Sequence, residues 1–196
     1  MILPVLLASP TPMANFSQAF AKTLGNEGGY STDPKDLGGE TYCGISRVNF
    51  PDWAGWHAID AWKGLGSPSS VLGQNEDLQA QVQAFYRSLF WNPLQGDQIA
   101  FPDLAEKLFD MAVNMGIGQA VKLLQDALNV VVGSGLTVDG GMGPMTLAAL
   151  NSLPATAHNT LRDAISINHG GFYMYLIRQN PSQRVFVNGW LTRAME

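Results

Sequence analysis

Residues 25–46 read GNEGGYSTDPKDLGGETYCGIS, and the rest of the chain is best understood outward from this stretch. Seven of the twenty residues from Gly25 to Gly44 are glycine or Pro34, with threonine and aromatic residues interleaved. Glycine admits backbone shapes that other residues avoid, and proline removes a backbone donor. The stretch is therefore too broken for a helix and predicts short antiparallel strands joined by turns. Its surroundings have helical period. Upstream, Phe16, Ala19, Phe20 and Leu24 share one helix face, with Asn15 or Ser17 placed to cap it. Downstream, a segment with Trp53, Trp56 and Trp62 is separated by the punctuated stretch Gly64 to Gly73 from a helix of about 15 residues starting near Asn75.

From Pro102 the pattern is helical almost to the end. Leu104, Leu108, Met111, Ala112 and Met115 form one apolar stripe, and Val121, Leu124, Leu128 and Val131 another, with Gly116-Ile117-Gly118 as a tight turn between them. Gly133 to Gly143 reads as a loop, and Pro144 suits the first turn of a helix through Leu150. Two more helices are expected, over 156–178 with an irregularity at Gly170-Gly171, and over 181–195. The expected fold is mainly α with a minor β component (α+β): a helical globule with a small Gly-rich β-wing. Its expected divisions are an N-terminal arm over 1–13, a first region over 14–100, and a helical lobe over 101–196 that forms one compact unit with it.

Composition narrows the function classes. With 196 residues, 46% of them hydrophobic, the chain can bury a core without disulfides or metal staples. Its formal net charge of −5 argues against a dedicated nucleic-acid binder, which carries a basic stripe. A lone Cys43 excludes an intrachain disulfide, and Cys43 with the scattered His57, His158 and His169 offers no metal-ligand spacing; neither metal nor cofactor is expected. The longest apolar run, Ile2 to Ala8, is interrupted by Pro4 and too short to span a bilayer. It also lacks the basic start of a signal peptide, so synthesis in the cytoplasm without a signal peptide is expected.

Glu27 is the carboxylate best placed for chemistry. It follows the first helix and precedes Gly28-Gly29, where a ligand can approach the backbone closely. Leu24 and Tyr30 are near enough in sequence to desolvate it and raise its pKa, as a general acid requires. Asp36 and Thr41 lie on the Gly-rich stretch, where a hairpin returns them towards Glu27. Inverting hydrolysis of a glycosidic bond needs one protonated carboxyl for the leaving oxygen and an ionised group to activate water across the sugar. Glu27 and Asp36 fit these roles, with Thr41 holding the water. Each also has a plain structural reading: a surface Glu at a helix end, an Asp in a β-turn, a Thr in a strand.

Glu27-Gly28-Gly29-Tyr30, Asp33 through Thr41, and Gly44-Ile45-Ser46 together resemble the signature of the glycoside hydrolase family 108 muramidases. The same Glu, Asp, Thr order resembles the tailed-phage lysozymes, in which the Glu is the general acid. The phage pattern has one more residue between Asp and Thr, so either Thr41 or Tyr42 takes the water-holding position. The likeness continues through Leu108 to Gly116 with Leu124-Gln125, through Val138 to Thr146, which resembles a segment taken as peptidoglycan-binding, and through Gly189-Trp190-Leu191-Thr192-Arg193, the family's closing motif. It covers nearly all of the chain from Ala14.

The resemblance implies a lysozyme-like fold and cleavage of the β-1,4 bond between N-acetylmuramic acid and N-acetylglucosamine in peptidoglycan glycan strands, without a cofactor. It implies action at the bacterial cell wall, as a phage endolysin or as a secreted antibacterial effector opposed by an immunity protein. A monomer without nucleic-acid partner or membrane span is expected. Tyr30, Tyr42 and Asn114 are the expected substrate-binding residues. Asn114 lies four residues after Asp110 on one helix face, and its amide suits sugar hydroxyl and acetamido groups; it equally suits the end of that helix. For Val138 to Thr146, glycan contact and a plain turn-and-helix-start are both open. Lys107 and Lys122 read as solvated helix faces, and most tryptophans as core. The rival functions are a non-catalytic peptidoglycan-binding protein and a lytic transglycosylase or chitinase-like enzyme.

Overall fold

The computed structural model describes residues 14–25, 29–32 and 39–196; the expected arm over 1–13 lies outside them. Helix α1 spans Phe16–Leu24, and Asn15 caps it by accepting from the backbone N–H groups of Ser17 and Gln18. Three two-residue strands follow, β1 Tyr30–Ser31, β2 Thr41–Tyr42 and β3 Ile45–Ser46, paired antiparallel in the order β1-β2-β3. The expected wing is there. Its register sets Tyr30 opposite Tyr42 and Tyr42 opposite Ile45, while Ser31, Thr41 and Ser46 line up across the other face.

Cys43 and Gly44 join β2 to β3 with positive φ at both, +47° and +76°, as a two-residue hairpin turn demands. A Cβ at Gly44 would lie 2.8 Å from the Tyr86 hydroxyl oxygen, so the turn docks closely on what lies beneath it.

Helix α2, Gly55–Lys63, and a 3₁₀ segment, Ser69–Gln74, lead to α3, Glu76–Tyr86, capped by Asn75. A π-helical turn, Arg87–Trp91, continues α3. The wider turn sends Trp91 into the core and Phe90 to a half-buried position.

Helices α4, Pro102–Met115, and α5, Ile117–Val132, meet at Gly116, whose φ is +84°. The expected tight turn is thus a single residue. Then come α6, Pro144–Asn151, α7, His158–Gln179, a 3₁₀ segment, Pro181–Phe186, and α8, Val187–Met195.

Helix α4 is the centre of the packing, with α1 and α5 against it, α7 against α5 and α8 against α7. Leu104, Leu108, Phe109 and Met111 on α4 are fully buried. Each such side chain contributes roughly 1.5–3 kcal/mol through burial. Phe109 meets Phe16 and Trp91 edge-on, each at 5.8 Å, which ties α1 and the π turn to the same core.

Three expectations need correction. Helix α7 runs unbroken through Gly170-Gly171, and a Cβ at Gly170 would make ordinary contact with Leu191 and Ala194 of α8, at 3.7 and 3.8 Å. Lys107 is not solvated: it is 7% exposed and donates from Nζ to the Ala194 carbonyl at 2.9 Å. Lys122 does lie on an exposed face, but of the tryptophans only Trp56 and Trp91 are buried, the other three being half-buried.

Candidate active site

A cleft of about 540 Å³ opens where the wing meets the helices. Thr23 and Leu24 bring the end of α1 to it, and Cys43 and Gly44 bring the wing turn. Phe50, Phe85 and Phe90 supply apolar walls, and Val113 and Asn114 come from the end of α4. Arg193 of α8 is the one charged side chain among the described residues that line it.

Tyr86 fixes the wing to this wall. Its hydroxyl donates to the Cys43 carbonyl at 2.7 Å, and burial pushes its pKa up to about 12, so it stays a donor at any physiological pH. Cys43 is itself half-buried and its thiol is pushed up by desolvation, which keeps it protonated rather than nucleophilic.

Asn114 stands in the cleft. Its amide nitrogen donates to the Asp110 carbonyl at 2.7 Å and to Asp110 Oδ1 at 3.2 Å, while its oxygen accepts from Arg193 Nη1. Both donors are engaged, so it offers a ligand one remaining acceptor lone pair. It ties up the end of α4 and also lines the cleft. Asp110 beneath it is pushed up by burial, against the opposing pull of Arg193 and Lys107.

The two tyrosines expected to touch substrate are placed elsewhere. Tyr42 is 2% exposed, and its hydroxyl accepts from Gln79 Nε2 at 2.7 Å, with a pKa pushed up to about 12 by burial. It points into the core. Thr41, its neighbour on the strand, points to the opposite face and is half-buried there. Tyr30 donates to Glu40 Oε1 at 2.8 Å, with its ring 4.9 Å from Trp62 and Lys63 lying over it at 5.5 Å.

Glu40 is the hub of this second cluster, pairing with Arg47 at 3.1 Å and with Lys63, while Arg47 also reaches Asp60 at 2.8 Å. Tyr30 thus holds β1 to α2 through Glu40. Glu27 and Asp36 lie outside the described residues.

Sequence reasoning passed over Arg193 and Glu40 as site residues. The signal for Arg193 was its place in the closing motif Gly189 to Arg193. Nothing local marks Glu40, since its cationic partners come from the next hairpin arm and from α2.

The segment Val138 to Thr146 is folded around one buried side chain. Gln125 donates to Asp139 Oδ1 at 2.9 Å, to the Gly141 carbonyl at 3.1 Å and to Thr146 Oγ1 at 3.1 Å, and accepts from Gly140 N at 2.9 Å. A Cβ at Gly140 would lie 2.6 Å from the Gly118 carbonyl oxygen, which explains a glycine there. The polar groups of this loop largely satisfy one another. Among the described residues no cluster of three or more His, Cys, Asp or Glu side chains is arranged to hold a metal ion, and no helix is long and apolar enough to cross a membrane.

Comparison with known proteins agrees with this architecture. The chain matches the family described as Glycosyl hydrolase 108 over residues 20–116, and the Predicted Peptidoglycan domain over residues 119–195. No curated protein matches it. Among the solved structures that match is SagA of Brucella abortus, 27% identical, with a TM-score of 0.56 over 91% of this chain and 88% of that one. The chain belongs to the glycosyl hydrolase 108 family, and it is a glycoside hydrolase of lysozyme-like, mainly α fold whose C-terminal part is a predicted peptidoglycan domain.

Proposed function

We propose that this glycoside hydrolase is an N-acetylmuramidase, cleaving the β-1,4 bond between N-acetylmuramic acid and N-acetylglucosamine with Glu27 as general acid. The observation that carries the reading is the cleft beside the wing. Leu24 and Cys43 both line it; Glu27 follows the first by three residues, and Thr41 precedes the second by two. So short a length of chain keeps Glu27 within roughly 10 Å of Leu24.

Asp36 is the base that activates water, and Thr41 holds that water. Tyr42 is spoken for by Gln79 and the core. An acid, a base and a held water make an inverting enzyme, because direct attack by Asp36 would need no third group. Wing and helical lobe act as one unit, since Arg193 reaches the cleft from α8. Its setting is bacterial cell-wall lysis, as a phage endolysin or as a delivered antibacterial effector.

Digestion of purified peptidoglycan, followed by mass spectrometry, tests the reading. Muropeptides ending in reducing N-acetylmuramic acid are expected. Anhydro-muropeptides would make the protein a transglycosylase, and no release a binding protein. NMR of the first product should show the α-anomer, and a β-anomer or an adduct on Asp36 would mean retention.

A further inference from the structure

A second cavity of about 210 Å³ lies on the far side of Asn114 from the wing, lined by Asn114, Met115, Phe172, Tyr173, Leu176 and Trp190. Asn114 lines both spaces, so the two adjoin at this residue, the second lined from α4, α7 and α8. The second space has its own character. Trp190 stacks on Tyr173 at 4.8 Å and on Phe186 at 5.7 Å, both at 23° between ring planes, which fixes its position. Phe172 and Leu176 stand half-buried beside it. Among the described residues no charged side chain lines this cavity, in contrast to the cleft, where Arg193 projects.

We propose that this aromatic pocket is a distal glycan subsite, holding one N-acetylhexosamine unit of a peptidoglycan strand that also occupies the cleft. The proposal rests on the muramidase reading for the identity of the strand, and names a surface of the predicted peptidoglycan domain that binds it. The lining chooses the occupant. A sugar ring has an apolar C–H face that packs on aromatic and aliphatic side chains, as this lining provides, whereas the stem peptide brings carboxylates that find no cation here. The volume is below the roughly 300–1,000 Å³ of sites for drug-sized ligands, on the scale of a single sugar unit. Asn114 sits at the border, held by Asp110 and Arg193, with its remaining acceptor lone pair available to a hydroxyl or acetamido N–H as the strand crosses. The C-terminal region then extends the cleft by one position.

The experiment measures binding of purified peptidoglycan oligosaccharides of increasing length to the full chain carrying Glu27→Gln, so that no substrate is consumed. Affinity should rise at the length that spans both spaces. Adding Phe172→Ala should abolish that step, weakening the longer ligands about tenfold. Met115→Ala, a smaller truncation in the same wall, reads the same step if the Phe172 variant fails to fold. Ile167→Ser, on an exposed face of α7 outside both spaces, should leave the step in place. A length step that survives both Phe172→Ala and Met115→Ala in folded protein would overturn the subsite while leaving the muramidase reading standing. A length step lost in those variants, in a chain whose parent releases no muropeptides, would support the subsite and overturn the muramidase reading alone.

Discussion

Thr41 and Tyr42 are adjacent in sequence but face opposite sides of the sheet, and this separates two roles that the sequence left joined. The Tyr42 hydroxyl is buried against Gln79, so Tyr42→Phe should cost about 1 kcal/mol of stability and leave kcat near the parent value. Thr41→Ala should do the reverse, lowering kcat about tenfold or more with little change in Tm, as lost help to the attacking water does. Clearing of cell-wall suspensions and thermal melts measure the two, and a large kcat loss in Tyr42→Phe alone would return the water to Tyr42. His169 makes a separate claim about pH. It is fully buried, neither ring nitrogen has a hydrogen-bond partner among the described residues, and burial, then Lys107 and Arg193, push its pKa down to about 4. The unfolded chain takes up this proton near pH 6.5, before the folded one does, so its contribution is whole above that pH and is lost as pH falls towards about 4. The loss approaches roughly 3 kcal/mol at the acid end. Denaturant titrations at about pH 7 and about pH 4.5 should show a shallower acid loss for His169→Leu than for the parent, and equal losses would place a bound water or ion on the ring.

The loop from Val138 to Thr146 and helix α5 hold each other through Gln125. Replacing Gln125 with Leu removes the acceptor of the Gly140 N–H and one partner each from Gly141 and Thr146, which still bond each other, and should cost about 1–2 kcal/mol, read as a fall in Tm. An unchanged Tm would mean that the loop stands by itself. The elements were legible where cause is local. Asn15 caps α1, Asn75 caps α3, and Pro144 opens α6, all from signals a few residues long. The Gly-rich stretch gave a sheet because its residues permit little else. What sequence concealed was set by distant partners. Lys107 is buried against a carbonyl 87 residues away, and Gly170 lies inside an unbroken α7 with α8 beside it. Tyr30 likewise is held by Glu40, ten residues on, and by Trp62 of α2. The cleft itself draws on α1, the wing turn, α3, α4 and α8, an assembly that periodicity along any one of them cannot show.

Across the molecule, the two family matches meet between α4 and α5, yet the helices on either side share one core. Lys107 of α4 donates to Ala194 of α8, and Arg193 of α8 lines the cleft. A chain ending at Gly116 should therefore lack a cooperative thermal transition, because α4 would lose α5 and α8 at once. A cooperative melt with parental activity would instead make the first region a domain of its own. The chemistry turns on one proton. Glu27→Gln keeps the shape of the side chain and removes the proton that the leaving oxygen needs, a loss of at least about 10²-fold. The direct measurement is the rate of reducing-end release from purified peptidoglycan by the parent and by Glu27→Gln, with circular dichroism showing both folded. Steady release by the parent and next to none by the variant are expected; comparable release by a folded Glu27→Gln protein would take the acid role away from Glu27.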